Sequence, residues 1–324
     1  MQQPPPRVPV AYLTEPLPKL ADWVSYFMRA EIPVLASTSN AIEEMRAMED
    51  DVDPGMLAAV IQKDPLMTLK LLAHVAARRR PGDVTETETI TSSLVMTGIS
   101  PFFRQFGPQV SIEDRLHDQP EALQGLLELL ARAHRAAHFS MAFAVHRADT
   151  DVEVIYQATL LHDFAEMLMW CHAPTMQLEI RAMQKANPTL RTAALQRFVY
   201  NIDLNDLAME LMKLKRLPSL MIRISDGKHP NHPIVRNVIL ASRIARHTME
   251  GWDNAAIPDD VNDIAMLLNA APRVAASFLR KIDLPSAELL PQEAHVHGID
   301  IAPEVTEVGE DAAEFPPVNP EPPG

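Results

Sequence analysis

The sequence predicts an all-α protein, a bundle of about a dozen short helices. Apolar residues recur at three- and four-residue spacings over most of the chain, glycine is scarce at 10 of 324 residues, and alternating β-branched runs are nearly absent. At 47% hydrophobic and 22% charged, the chain holds enough apolar material for a sizeable core. Collagen-like, wholly disordered and disulfide-rich classes are excluded.

The N-terminus crowds Pro4, Pro5, Pro6, Pro9, Pro16 and Pro18 into a short stretch, and the C-terminus repeats the pattern from Pro285 to Pro323. Such segments bury too little apolar surface to offset their ordering entropy. Residues 1–18 and 283–324 are therefore expected to be disordered, flanking a helical domain over 19–282. Within it, Asp53-Pro54 and Asp64-Pro65 each place a capping acid before a proline at the first helical position, where the missing N–H costs nothing. Two short helices in tandem follow from Met56 to Ala76, and Ser100-Pro101 predicts another start by the same device. A longer helix is expected over about 121–147, and a mostly apolar, central one over about 152–171. Further helices are predicted at 175–186, 189–200, 204–215, 218–226, 233–249, 259–270 and 272–281.

The net charge is −14, and nine of the acids fall within 285–324, which has no Lys or Arg. Without them the other 284 residues carry −5, so no basic footprint for nucleic acid exists. The single cysteine, Cys171, forbids an internal disulfide and fits a reducing compartment. The opening MQQPPPRVPVAYL has neither the basic start nor the apolar stretch of a signal peptide, and no run is long enough to span a membrane. A cytoplasmic protein is expected.

The residues that invite a chemical reading are His162-Asp163, in ATLLHDFAEMLMW. An imidazole and a carboxylate side by side can both reach one divalent ion, yet a catalytic metal needs at least three protein ligands and an open position for water. Leu160-Leu161-His162-Asp163 resembles the signature of the HD superfamily of metal-dependent phosphohydrolases. More of the chain, from about 24 to 248, resembles one branch of it, the HDOD domain (HD-related output domain) of bacterial signalling proteins. Ile32-Pro33-Val34-Leu35 resembles its LP motif, and Ile61-Gln62-Lys63-Asp64-Pro65-Leu66-Met67-Thr68-Leu69-Lys70-Leu71-Leu72 resembles its I-x-x-D-P-x-L-x-x-x-L-L segment. The chain departs from the pattern at His74-Val75, where Asn-Ser is usual, at Thr97-Gly98, where Leu-Gly is usual, and at Lys215, where Trp is common before Leu217-Pro218.

That resemblance implies four metal-ligand positions in the catalytic enzymes. Here the first falls on Phe139, with His138 one residue and about 100° of helix away. The last falls on Ser242, and only His162 and Asp163 are filled. A second histidine pair found in related phosphodiesterases would fall on Gly227-Lys228. No metal or other cofactor is therefore expected, and His162-Asp163 reads as a pair satisfying each other or nearby backbone. Phe139, His162, Asp163 and Ser242 remain as the lining of a vestigial cleft, a candidate ligand pocket.

Other features read as structural. His134 with His138, His229 with His232, and His295 with His297 lack an acidic partner at fixed spacing and are expected at the surface or at caps. Cys171 reads as a buried thiol, the mid-chain methionines as core filling, and Arg78-Arg79-Arg80 as cations complementing a helix C-terminus. The resemblance implies a non-catalytic regulatory module acting on a signalling protein or small ligand. The competing classes are a residual phosphohydrolase that recruits His134, His138 or Glu166, and a cyclic-nucleotide binder. Removing residues 285–324 is expected to leave the thermal midpoint unchanged; a clear drop in a melting experiment would mean that the segment packs on the domain.

Overall fold

The structure, a computed structural model, describes residues 11–79, 88–187 and 189–283. The acidic tail, His295, His297 and Arg80 lie outside the described residues. Seventeen α-helices and one 3₁₀ turn account for the described fold, more than the dozen expected, because several short N-terminal helices carry little periodicity of their own.

The N-terminal lobe contains α1 (Leu20–Phe27), α2 (Ala36–Ala47), α3 (Pro54–Ile61), α4 (Pro65–Arg78), α5 (Ile90–Thr97), α6 (Ile99–Gln105) and α7 (Ile112–Arg115). The tandem pair α3 and α4 forms as predicted, each capped by its aspartate: Asp53 accepts from Met56 N, and Asp64 from Leu66 N and Met67 N. The start predicted at Ser100-Pro101 is instead at Ile99. Gly98, at φ +80°, ends α5 and opens α6, a conformation that a side chain would strain. Val34, Ile42, Leu57, Ile61, Leu71, Phe102 and Phe106 form this lobe's core.

The 27-residue α8 (Pro120–His146) is the long central helix. Against it and around it pack α9 (Val152–Leu160), α10 (Phe164–His172), α11 (Pro174–Ala186), α12 (Thr192–Tyr200), α13 (Leu204–Leu214) and α14 (Ser219–Ser225). The chain then returns along α8 as α15 (Pro233–His247), followed by α16 (Ile257–Leu268) and α17 (Pro272–Ile282). The one apolar helix expected over 152–171 is two helices, α9 and α10, separated at Leu161-His162-Asp163. Cys171 and six of the seven mid-chain methionines are buried, Met183 partly so, as core filling requires. Among the described residues no helix is long and apolar enough to cross a membrane.

Residues 11–18 depart from the expectation of disorder. They lie against the domain, with Leu13 N–H donating to His172 O and the Tyr12 hydroxyl donating to Arg115 O and Asp118 Oδ1. His172 itself is a buried junction. Its Nε2–H donates to Glu31 O at 2.9 Å, which leaves Nδ1 to accept from Tyr26 Oη at 3.0 Å and Arg115 Nη2 at 2.9 Å. Burial, reinforced by the adjacent Arg115, lowers its pKa to about 3, so the ring is neutral.

Asp64 holds the lobe together. Besides capping α4, its fully buried carboxylate accepts Leu35 N at 2.7 Å, fastening the Ile32–Leu35 turn to the start of the helix. Burial raises its pKa against the pull of these donors. Asp64→Ala leaves three buried N–H groups without an acceptor and is expected to cost about 3 kcal/mol or more in urea denaturation. A loss below about 1 kcal/mol would mean that the two motifs hold without it.

Candidate functional site

The break between α9 and α10 places His162 and Asp163 in a turn rather than along a helix. Leu161 N and His162 N close the end of α9 onto Gln157 O and Thr159 O, and Asp163 becomes the residue before the first turn of α10. A carboxylate there is favoured by the helix dipole. Its side chain makes no capping hydrogen bond, because it is taken by a cation. Arg132 Nη2 on α8 donates to Asp163 Oδ2 at 3.0 Å, and the same nitrogen stands 3.9 Å from Glu166 Oε2 on α10.

These three groups are each about one-fifth exposed, with side-chain values of 23%, 22% and 19%. Burial alone would raise the pKa of Asp163, but Arg132, His162 and Arg246 draw it down to about 2, and the carboxylate stays ionised. Glu166 moves the other way. Burial and the neighbouring Asp163 raise it in spite of Arg132 and Arg246, while Gln196 Nε2 donates to its Oε2 at 3.3 Å. One guanidinium thus serves two carboxylates and hydrogen-bonds the nearer.

Of the four residues expected to line a vestigial cleft, His162 and Asp163 are half-buried, and Phe139 and Ser242 are buried. His162 is about one-third exposed, with Nε2 3.8 Å from Asp163 Oδ1. Phe139 is fully buried in a separate apolar cluster, stacked on Phe143 at a centroid distance of 6.3 Å, because a phenyl ring on this face of α8 finds α15 and not solvent. Ser242 is buried on α15 with no hydrogen-bond partner for its hydroxyl. His134, expected at the surface or at a cap, is half-buried beside the Lys63 backbone, and burial lowers its pKa to about 4. Glu166 is engaged by Arg132 and Gln196, and is no spare ligand.

A cleft lies between α8, α10, α11 and the end of α15. It measures about 560 Å³, and Arg132, Glu166, Trp170, Arg181 and Arg246 are among its lining, whereas none of the four expected residues is. Sequence reasoning missed Arg132 and Arg246. Both were findable: Arg132 lies seven residues before Phe139 and Arg246 four after Ser242, so each shares a helix face with a substituted ligand position. A cation on the face of a lost ligand is the signal.

The donor set does not fit a hydrolytic metal. The positions that the resemblance assigns to the first histidine and last aspartate carry a buried phenyl ring and a neutral hydroxyl, and a fixed positive charge already contacts Asp163. Among the described residues no group of three or more His, Cys, Asp or Glu side chains converges on a point that could hold an ion.

Comparison with known proteins agrees with the motifs. The family model of the HDOD domain matches residues 32–230. A response regulator, MmoQ, from Methylococcus capsulatus str. Bath is similar in structure at a TM-score of 0.58 and 19% identity, covering 78% of this chain and 99% of its own. A virulence factor from Campylobacter jejuni subsp. jejuni gives 0.52 and 16% identity, covering 85% of this chain and 98% of its own. At such identities the likeness shows the fold. No curated protein matches the chain.

Arg132→Met leaves Asp163 and Glu166 side by side without their cation, which is expected to cost about 3 kcal/mol at pH 7 in urea denaturation. The folded pKa of Asp163, about 2, lies below its ordinary 3.8. Its contribution is therefore complete above that ordinary value and is lost as pH falls towards 2. The gap between wild type and variant should narrow from pH 5 to pH 3; a gap that holds constant would contradict the pairing.

Proposed function

The chain belongs to the HDOD domain family, and from that premise we propose that it is a non-catalytic regulatory module of bacterial signalling, working in the cytoplasm by binding a protein or small ligand. The observation that carries the reading is the Arg132 guanidinium 3.0 Å from Asp163, in a site where Phe139 and Ser242 replace two of the four ligands implied by the HD resemblance. A phosphohydrolase site must present a polarising cation with a free position for water. A guanidinium cannot ionise water, and its charge beside Asp163 opposes the entry of a metal ion.

A protein of this kind acts through differential affinity: a partner or ligand that binds one arrangement of the helices more tightly shifts the population towards it. The similarity of fold to a response regulator supports a place in signal transduction. The competing reading, a residual phosphohydrolase, has no third ligand to offer among the described residues.

Elemental analysis of purified protein, with hydrolysis of bis(p-nitrophenyl) phosphate in the presence of iron, manganese or zinc, tests the reading. The expected result is substoichiometric metal and turnover indistinguishable from the His162→Ala variant. Stoichiometric metal with turnover abolished by His162→Ala would overturn it.

A further inference from the structure

We propose that the cleft between α8, α10, α11 and the end of α15 binds a small monoanionic molecule with an apolar body, its anionic group received by Arg246. This deepens the reading above and rests on it: a module that acts by binding needs a site, and this one has the required chemistry.

Size comes first. A cleft of about 560 Å³ falls within the range of small-molecule sites. Leu129, Trp170, Ile180 and Met249 supply the apolar part of its lining. Trp170 lies flush against α8 only because residue 125 is glycine; a Cβ there would stand 2.4 Å from the indole ring. The place of Trp170 in that lining is therefore set by a close approach of two helices.

The polar wall selects for charge. Of the three guanidinium groups in the cleft, Arg132 is committed to Asp163, and Arg181 pairs with Glu128 at 2.8 Å. Arg246, exposed in the last turn of α15, feels Asp163 and Glu166 at longer range, but no ion pair joins it to a described residue. Its donors are available to an oxyanion. Glu128, Glu166 and Glu250 also line the cleft, so positive and negative side chains are balanced there. With three carboxylates in the same lining, a dianion is repelled more strongly than a single negative charge, which Arg246 alone can balance. A carboxylate or a phosphodiester on an aromatic or aliphatic body meets these terms; a phosphate monoester does not.

Isothermal titration and thermal-shift measurements on the full chain test the proposal. The probes are 3′,5′-cyclic AMP as a phosphodiester, N-acetyl-phenylalanine as a carboxylate, and AMP as the dianionic control. At least one monoanion is expected to bind one-to-one and raise the melting temperature, with AMP weaker by about tenfold or more. Arg246→Gln, exposed and with no ion pair to a described residue, should fold and weaken that binding by about tenfold or more. Absence of binding by both monoanions at about 10 mM, or equal binding to wild type and Arg246→Gln, would overturn the site while leaving the non-catalytic reading intact. Binding accompanied by conversion of cyclic AMP, detected by chromatography, would support the site and overturn the non-catalytic reading.

Discussion

A guanidinium placed between two half-buried carboxylates is the constraint around which the centre of this molecule is arranged. Asp163 and Glu166 are three residues apart, so the first turn of α10 brings both to one face. Left alone they would repel in a medium of low dielectric, and one would take up a proton. Arg132 resolves the conflict unevenly, close to Asp163 and farther from Glu166. The result is one ionised acid and one whose proton affinity is raised. A divalent ion would have balanced both charges and left a position for water; a single fixed positive charge balances one and leaves none. The same geometry that keeps the carboxylates paired therefore occupies Asp163 with a cation that cannot ionise water.

Polar burial follows one rule elsewhere in the domain. Asp64 is wholly buried yet accepts backbone donors from Leu35, Leu66 and Met67, so the charge is spread over amides of two segments distant in sequence. His172 is buried neutral, its tautomer fixed by one carbonyl and two donors. In both cases the group links pieces of chain that no continuous helix connects: the Ile32–Leu35 turn to α4, and α1, Glu31 and α7 to the end of α10. Apolar contacts supply the bulk of the stability and these few polar anchors set the register, since an unsatisfied buried donor costs more than a slightly imperfect apolar fit.

The helical class and the tandem α3–α4 pair were legible in the sequence because their signals are local: aspartate before proline, then apolar residues at helical spacing. The break at Leu161-His162-Asp163 was not, since every residue from Val152 to Cys171 is acceptable in a helix and the turn is set by tertiary contacts, Arg132 among them. The Ser100-Pro101 start failed for a related reason: Gly98 can adopt the positive φ that starts the helix two residues earlier. The occupied half of the site, His162-Asp163, was visible as a dipeptide. What stands against it was not, because Arg132 and Arg246 come from α8 and α15, about 30 and 80 residues away in the chain, and a lone arginine on a helix has no signature until the face it shares is considered.

The substitution at the first ligand position is best understood as a gain as well as a loss. Phe139 is fully buried and stacks on Phe143, whose ring in turn meets Phe278 of α17 at 6.5 Å, and Arg135 lies over the Phe139 ring at 5.8 Å. These rings, with Ala241 and Ile244 of α15 and Ile264 of α16, form the core under the C-terminal helices. Arg135 then reaches past them to Asp283, which also accepts from Trp252, and so pins the end of α17. A histidine at position 139 would bring a polar ring into this core without a partner, an arrangement that costs more than the phenyl ring it replaces. It would also point at no metal, since Ser242 and Arg132 would still deny the ion its charge. Two chemistries compete for that face of α8, coordination and packing, and in this chain packing has the second helix layer built upon it.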